Sequence, residues 1–328
     1  MTEVVGEPLL VVKGLRKQFD GRSVLSDVSF NVYPGDIFGI IGISGSGKTT
    51  LLQLLVGFLQ SDSGDILYNQ GSSSSLTNIP SYCSFNDCSE LIQRRIGFAA
   101  QHPSFYEELT VTENLSYFGS LYNIPEDKLQ ENVRNAITLL GLQNEALTLA
   151  GELSGGMQKR LDIAIALVHN PRLLLLDEPT ADLDIVNRRM IWKLLKTINE
   201  HGTTIIISSH FLDEIEQLCS MIAVLHQHRI LEQGKAEDLR RLLTVNKEVH
   251  LDLKSKNYGM IRKALAKQGL PGALVDERDG MLVAQSPQAE QLLQSILHLV
   301  EQYHEEVIDI YVHQPSLNDI FESMVQTI

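Results

Sequence analysis

The stretch Gly42-Ile43-Ser44-Gly45-Ser46-Gly47-Lys48-Thr49 has the G-x-x-x-x-G-K-T pattern of a phosphate-binding loop. The apolar residues 37–41 before it predict a buried strand, and residues 50–56 after it predict a helix. Backbone N–H groups and the positive helix end would bind phosphate. Lys48 would reach the β- and γ-phosphates, and the Thr49 hydroxyl would hold Mg²⁺. The alternative is a glycine- and serine-rich turn with an incidental lysine.

Length and charge narrow the class of protein. The 328 residues are 43% apolar and 21% charged, enough for a large domain and a small one. A net charge of −14 disfavours a nucleic acid partner, because phosphates repel an acidic chain. No apolar run approaches the roughly 18 residues of a membrane span. The chain begins without a charged-then-apolar leader, so we expect a cytosolic protein with no transmembrane segment.

Apolar strand patterns alternate with helical patterns over residues 9–235. Strands are predicted at 9–12, 28–32, 65–68, 172–176 and 203–207, and helical patterns at about 109–150, 185–199 and 211–219. This alternation predicts an α/β domain with a layered parallel sheet. Between about residues 69 and 90 a polar, serine-rich stretch has neither period and predicts a surface insertion. We expect reduced thiols at its Cys83 and Cys88, with a metal or redox role of the pair as the alternative.

The pattern changes after residue 235, and residues 236–247 predict a linker. Residues 248–328 then predict a small α+β domain. Alternating strand patterns at 249–253, 273–276, 281–284 and 308–312 surround helical stripes at 258–267 and 292–300. This βαββαβ order predicts a ferredoxin-like fold. Ser316-Leu317-Asn318-Asp319 predicts a capped final helix.

A pair of carboxylates, Asp177 and Glu178, ends the apolar run at 173–176. The carboxyl end of a parallel strand beside a phosphate loop is where Mg²⁺ would be held. We therefore expect Asp177 to hold the metal, directly or through water, and Glu178 to polarise the water that attacks the γ-phosphate. The alternative is that the pair only begins a loop before Pro179.

Leu153-Ser154-Gly155-Gly156-Met157 forms a second glycine motif. Ser154 would cap the helix that follows, and a capped helix N-terminus is again an anion site. A second phosphate-binding terminus in a chain with one phosphate loop suggests that a partner copy closes the nucleotide site. The alternative is a Gly-Gly turn that only starts the helix.

Six motifs in order resemble those of an ABC transporter ATPase subunit. They are residues 42–49, Gln101, 153–157, 173–178, 181–184 and His210, within about Leu9–Lys235. The resemblance implies a P-loop NTPase domain over residues 1–235, with a RecA-like core and a helical signature subdomain at about 102–165. It implies ATP and Mg²⁺ as ligands. It also implies a head-to-tail dimer that sandwiches ATP between each phosphate loop and the opposite signature motif.

The resemblance assigns roles to single residues. Phe19 would stack on adenine, although a core aromatic at a strand end is an equal alternative. Gln101 would reach Mg²⁺ and the attacking water, and its loop would face the membrane partner. The catalytic residues would be Glu178, His210 and Lys48, and the metal ligands Thr49, Gln101 and Asp177. Nucleotide contacts would come from Phe19, Gly42, Ile43, Ser44, Gly45, Ser46, Gly47, Lys48, Thr49, Thr50, Gln101, Ser154, Gly155, Gly156 and Asp184.

Met157 replaces the family's commoner glutamine, and Asp182 and Ile185 replace a small residue and a proline. The geometry of the loop around Asp184, which would communicate across the dimer, is therefore left open. Residues 315–321 (Pro-Ser-Leu-Asn-Asp-Ile-Phe) resemble the ending of ATPases that serve ABC-2-type exporters. This implies a peripheral subunit on the cytoplasmic face that drives a separate transmembrane permease. It would pair with itself or with a related ATPase subunit.

Two other functions stay open at this stage. One is a soluble ABC ATPase that acts on ribosomes or DNA. The other is a nucleotide-dependent switch with a ligand-sensing C-terminal domain.

Overall fold

The computed structural model describes residues 6–71, 82–243, 247–268, 274–278, 280–286 and 288–313. The chain divides into two compact units, Met1–Ala236 and Glu237–Ile328. Residues 236–243 of the predicted linker form a helix, α8 (Ala236–Leu243). The functional partition into an ATPase domain and an accessory domain stays a prediction.

The first unit is built on a six-stranded sheet of order β10-β9-β3-β8-β7-β6. Its strands are β3 (Ile37–Ile41), β6 (Ile96–Ala99), β7 (Leu173–Asp177), β8 (Thr204–Ser209), β9 (Met221–His226) and β10 (Arg229–Gly234). All pairs are parallel except β10 with β9. Every residue of β3, β7 and β8 is buried, as expected for parallel strands covered on both faces. The carboxyl ends of β3, β8, β7 and β6 therefore lie side by side along one edge.

A second, antiparallel sheet has the order β2-β1-β4-β5. Its strands are β1 (Leu10–Phe19), β2 (Arg22–Val32), β4 (Ser63–Asn69) and β5 (Tyr82–Ser84). One apolar core joins this sheet to the parallel sheet. Within that core the rings of Phe30 in β2 and Phe38 in β3 stack at 5.1 Å between centroids.

The described residues of the first unit form seven α-helices. They are α1 (Lys48–Leu55), α2 (Phe85–Gln93), α3 (Val111–Ser120), α4 (Glu126–Leu139), α5 (Gly155–Leu167), α6 (Ile185–Glu200) and α7 (Leu212–Leu218). A capping box of Thr110 and Glu113 starts α3. Helices α3, α4 and α5 contact one another within the region predicted as the helical subdomain. Helix α4 buries apolar residues that include Val133 and Ile137.

The expectation for the insertion at 69–90 was wrong in two respects. Tyr82–Ser84 pairs with β4 as β5, and Ser84 then caps α2 by accepting a hydrogen bond from the Asn86 N–H at 3.2 Å. The two cysteines are also joined: Cys83 in β5 and Cys88 in α2 form a disulfide, with Cα atoms 6.1 Å apart. The strand-to-helix turn brings them together, and local periodicity gave no sign of it. Residues 72–81 lie outside the described part.

The second unit contains a four-stranded antiparallel sheet of order β12-β13-β11-β14. Its further elements are β11 (Lys247–Leu253), α9 (Gly259–Gln268), β12 (Leu274–Arg278), β13 (Met281–Ser286), α10 (Ala289–Gln302) and β14 (Val307–His313). The alternating residues Val249, Leu251 and Leu253 are fully buried and pack in one core with residues of α9 and α10. The element order is βαββαβ, the order of ferredoxin-like folds. The final helix predicted from Ser316 lies outside the described residues.

In the described ranges no helix is long and apolar enough to cross a membrane.

Candidate functional site

The predicted phosphate loop connects β3 to α1. Gly45 and Gly47 adopt left-handed backbone conformations, with φ of 81° and 106°. A Cβ atom on Gly47 would lie 2.9 Å from the Val24 carbonyl oxygen, and one on Gly42 would lie 2.6 Å from the Leu225 carbonyl oxygen. The loop therefore requires glycine at both positions. No side chain caps α1, so its first N–H groups stay available to an anion.

Lys48 is the first residue of α1, and its side chain is buried. Its Nζ donates to the carbonyl oxygens of Gly42 at 2.8 Å and Ile43 at 3.2 Å. It also lies 3.3 Å from Glu178 Oε1. The loop backbone and the Glu178 carboxylate, which follows β7, together fix this positive charge beside the loop.

Asp177 ends β7 and is 1% exposed. Its Oδ1 accepts a hydrogen bond from the Ser208 hydroxyl at 2.6 Å. The same hydroxyl accepts from the Glu178 N–H at 2.9 Å. Ser208 thus holds both predicted carboxylate residues. We did not predict it, because the only sequence signal was a serine near the end of the β8 run, and its position opposite Asp177 depends on strand register.

Glu178 contacts two side chains at the site, Lys48 and His210. Its backbone is left-handed, with φ of 45°, a conformation that costs a non-glycine residue about 1–2 kcal/mol. Oε1 faces Lys48, and Oε2 lies 3.1 Å from His210 Nδ1. Because an ionised carboxylate can only accept, Nδ1 of His210 carries the proton in this contact. Lys48, Glu178 and His210 therefore form one chain of charged and polar groups.

Lys48 and Glu178 line a cavity of about 210 Å³, whereas Asp177 and His210 are not among its lining residues. It is lined by Val24, Ser44, Gly45, Gly47, Lys48, Thr49, Thr50, Gln101 and Glu178. Gln101 comes from the loop after β6 and is exposed. Its backbone is held by Lys159 of α5, whose Nζ donates to the carbonyl oxygens of Ala100 at 3.0 Å and Gln101 at 3.3 Å. Burial lowers the pKa of Lys159.

Phe19 is 43% exposed at the end of β1 and does not line this cavity. The Lys17 ammonium lies 5.2 Å from the centroid of its ring. Its adenine-stacking role stays a prediction.

The glycine motif of α5 also lies away from the cavity. Ser154 caps α5 by accepting from the Met157 N–H at 3.4 Å. A Cβ on Gly156 would lie 2.5 Å from Asn187 Oδ1, so the start of α5 packs tightly against the start of α6. Ser154 and Gly155 are exposed. The structure therefore brings this motif to α6 and not to the phosphate loop of the same chain.

Asp184 caps α6. Its Oδ1 accepts from the N–H groups of Val186 at 2.9 Å and Asn187 at 3.0 Å. Hydrogen bonds from Asn187 lower the pKa of the Asp184 carboxyl. Two exposed apolar side chains, Ile185 at 69% and Val186 at 68%, follow it directly.

Comparison with known proteins decides the family. The ABC transporter family model matches residues 25–181. A Nod factor export ATP-binding protein I of Ralstonia nicotianae is 31% identical over 316 residues, 96% of this chain and 92% of that protein. The chain belongs to the ABC transporter ATP-binding family.

Another relative and two solved structures are similar to this chain and have names of the same family. The linearmycin resistance ATP-binding protein of Bacillus subtilis is 26% identical over 95% of this chain and 97% of its own length. Among solved structures, cbiO1 of Clostridium perfringens, part of the ABC transporter complex cbiONQ, is 28% identical with a TM-score of 0.62. The match covers 73% of this chain and 96% of the cbiO1 chain. The ADP conformation of the ATP-binding cassette MJ1267 is 29% identical with a TM-score of 0.60, covering 71% and 93%.

These similarities confirm the P-loop NTPase fold predicted from the motifs. As an ABC ATPase, this chain binds ATP and hydrolyses it in coupling to transport. The roles of its individual residues remain predictions.

Replacing Ser208 with alanine should lower the kcat of this ABC ATPase about tenfold, the rate equivalent of one lost hydrogen bond. Asp177 would lose its hydroxyl partner, and the Glu178 N–H would lose an acceptor. Steady-state ATP hydrolysis measures the effect, with Ser63→Ala at an exposed strand position as the control. A Ser208→Ala chain with the parental kcat would contradict the prediction.

Proposed function

We propose that this chain is the ATP-hydrolysing subunit of an ABC-2-type exporter and drives a separate transmembrane permease from the cytoplasmic face. The observation that carries the hydrolytic part is the Lys48–Glu178–His210 chain beside the phosphate loop. Export is supported by the Nod factor export ATP-binding protein I of Ralstonia nicotianae, which aligns with 96% of this chain. Such an intact catalytic set favours turnover over a nucleotide switch.

The residues present fit Mg²⁺-ATP. Thr49 would supply a hydroxyl, Asp177 a carboxylate and Gln101 a side-chain amide, the oxygen donors that Mg²⁺ prefers. The glycine cradle of the loop and the uncapped start of α1 suit the phosphates. When bound, Mg²⁺ would neutralise the charge that develops on the phosphate oxygens.

The chain's own residues would act by positioning and charge. Lys48 contacts Glu178 at 3.3 Å in this structure. Bound phosphates would compete for the Lys48 ammonium, because an ammonium pairs with phosphate as a point charge. Glu178 would then be free to orient and polarise the attacking water, and His210 would contact the γ-phosphate. Glu178 acting as general base would receive the proton from that water.

Hydrolysis would take place in a head-to-tail dimer of this chain with itself or a related ATPase subunit. The α5 N-terminus is exposed and away from its own phosphate loop, which suits binding of the partner's nucleotide. The exposed Ile185 and Val186 beside Asp184 supply apolar surface for such an interface. The dimer would close only when ATP is bound, and hydrolysis would open it again.

The permease would dock in a groove of about 500 Å³ between the parallel sheet and the helical subdomain. Phe58 is 67% exposed and Leu121 is 61% exposed, and both line this groove together with Phe98 of β6. Exposed aromatic and aliphatic side chains in a concave surface mark protein contacts. Since β6 leads directly to the Gln101 loop, docking there would be linked to the nucleotide site.

The test is to coexpress this chain with a polytopic membrane protein encoded in a neighbouring reading frame. We expect the two to copurify and to hydrolyse ATP only with Mg²⁺. Phe58→Glu should abolish copurification and leave the basal hydrolysis of the isolated chain unchanged, because Phe58 lies outside the nucleotide cavity. Leu147→Glu, at an 84% exposed position, is the control. Full copurification of Phe58→Glu would overturn the docking surface, and absence of Mg²⁺-dependent hydrolysis would overturn the function.

A further inference from the structure

Glu214 of α7 has a buried carboxylate that contacts the turn after Glu178 and has no role in the mechanism above. It is 3% exposed. Its Oε2 accepts a hydrogen bond from the Thr180 hydroxyl at 2.5 Å, and its Oε1 lies 3.5 Å from Arg188 Nη1. Burial raises the pKa of Glu214, opposed by the Thr180 hydrogen bond and the Arg188 charge. Thr180 belongs to the turn that follows Glu178.

Arg188 of α6 reaches two further loops. Its Nε donates to the Leu183 carbonyl oxygen at 2.8 Å, next to Asp184. Its guanidinium carbon lies 4.2 Å from the centroid of the Phe211 ring, a cation–π distance. Phe211 follows His210, and the two rings are 3.9 Å apart. We call Arg188 and Glu214 together the brace.

Apart from their contact with each other, Arg188 and Glu214 of the brace contact mainly residues in loops. They reach the turn after Glu178, the loop before Asp184 and the loop that carries His210. Glu178 needs such support, because its left-handed backbone persists only where its surroundings hold it. A planar guanidinium can donate along its edge and stack through its face at the same time, which lysine cannot do.

We propose that Arg188 and Glu214 are positioning residues that hold Glu178, Asp184 and His210 in one arrangement. Contact of Asp184 with a partner subunit would then act through Arg188 on the two hydrolytic residues. The inference rests on the roles proposed above for these three residues. The alternative is a buried polar cluster that only stabilises the fold.

Arg188→Lys separates the two cases, because it keeps the charge and removes the planar fork. We expect kcat to fall about tenfold or more, since small misplacements of catalytic groups cost up to a hundredfold. The KM for ATP should stay within about twofold, because ATP binds mainly through the phosphate loop. Arg189→Lys, at the exposed neighbouring position, should leave both constants unchanged.

Glu214→Gln provides a second variant of nearly the same shape that keeps an oxygen for the Thr180 hydroxyl. It should lower kcat in the same way. The double variant should be no slower than the slower single variant, because both changes disable one unit. In the Glu178→Gln background, Arg188→Lys should still form an ATP-bound dimer on sizing.

The outcomes distinguish the proposals. Parental kcat in both Arg188→Lys and Glu214→Gln overturns the brace while leaving the ATPase intact. A rise in KM or a loss of the ATP-bound dimer, in step with a lower melting temperature, supports the merely structural role and overturns positioning. Parental hydrolysis by Glu178→Gln itself would instead overturn the proposed catalytic assignment on which the brace rests.

Discussion

Glu178→Gln should reduce ATP hydrolysis about a thousandfold and leave ATP binding intact, as expected when a general base is lost. The amide has nearly the shape of the carboxylate but cannot take a proton from water. It also removes the negative charge that Lys48 and His210 both contact. ATP should therefore stay bound, and the chain should elute as a dimer in ATP with Mg²⁺.

Steady-state hydrolysis and sizing in ATP measure this prediction on the parent and the variant. Glu200→Gln, at an exposed position at the end of α6, controls for the loss of one carboxylate. Parental hydrolysis by Glu178→Gln would remove Glu178 from the chemistry. A variant that binds ATP tightly, does not turn over and stays monomeric would keep Glu178 and contradict ATP-driven closure in the isolated chain.

The sequence predicted those parts of the site that depend on neighbours along the chain. The glycine spacing before Lys48 determines the loop within eight positions, and the leucine run before Asp177 is apolar because β7 is buried on both faces. The alternating Val249, Leu251 and Leu253 likewise revealed β11 from a period of two.

Contacts between distant segments could not be read in this way. Ser208 reaches Asp177 through the register of β7 and β8, and Glu214 reaches Thr180 across a separation of 34 positions. Neither contact leaves a local pattern. Helix α2 was missed for a different reason: apart from Phe85, Cys88 and Ile92, which pack in the core, most of its sequence is polar, and its backbone is kinked at Cys88. Strand β9 and the edge strand β10 were not predicted either.

Gly155→Asp should lower hydrolysis about a hundredfold, because the carboxylate would occupy the anion site at the start of α5. A Cβ at Gly155 meets no atom within 4 Å, so the fold of the variant subunit should be preserved. An aspartate near a helix N-terminus is itself favourable. Gly155→Ala, which adds the Cβ without the charge, should stay close to parental activity and serves as the control.

Heterodimers isolated through two different affinity tags test whether Gly155 acts on the partner's nucleotide. In a head-to-tail dimer, Lys48→Met in one subunit and Gly155→Asp in the other damage the same site, so about half of the parental activity should remain. Both changes in one subunit, paired with a parental subunit, damage both sites and should abolish hydrolysis. If each site were built within one chain, the outcomes would be reversed. The first heterodimer would then have two damaged sites and be inactive, and the second would keep one intact site and about half of the parental activity. The exposed position of Ser154 and Gly155, away from the cavity that Lys48 lines, favours the first outcome.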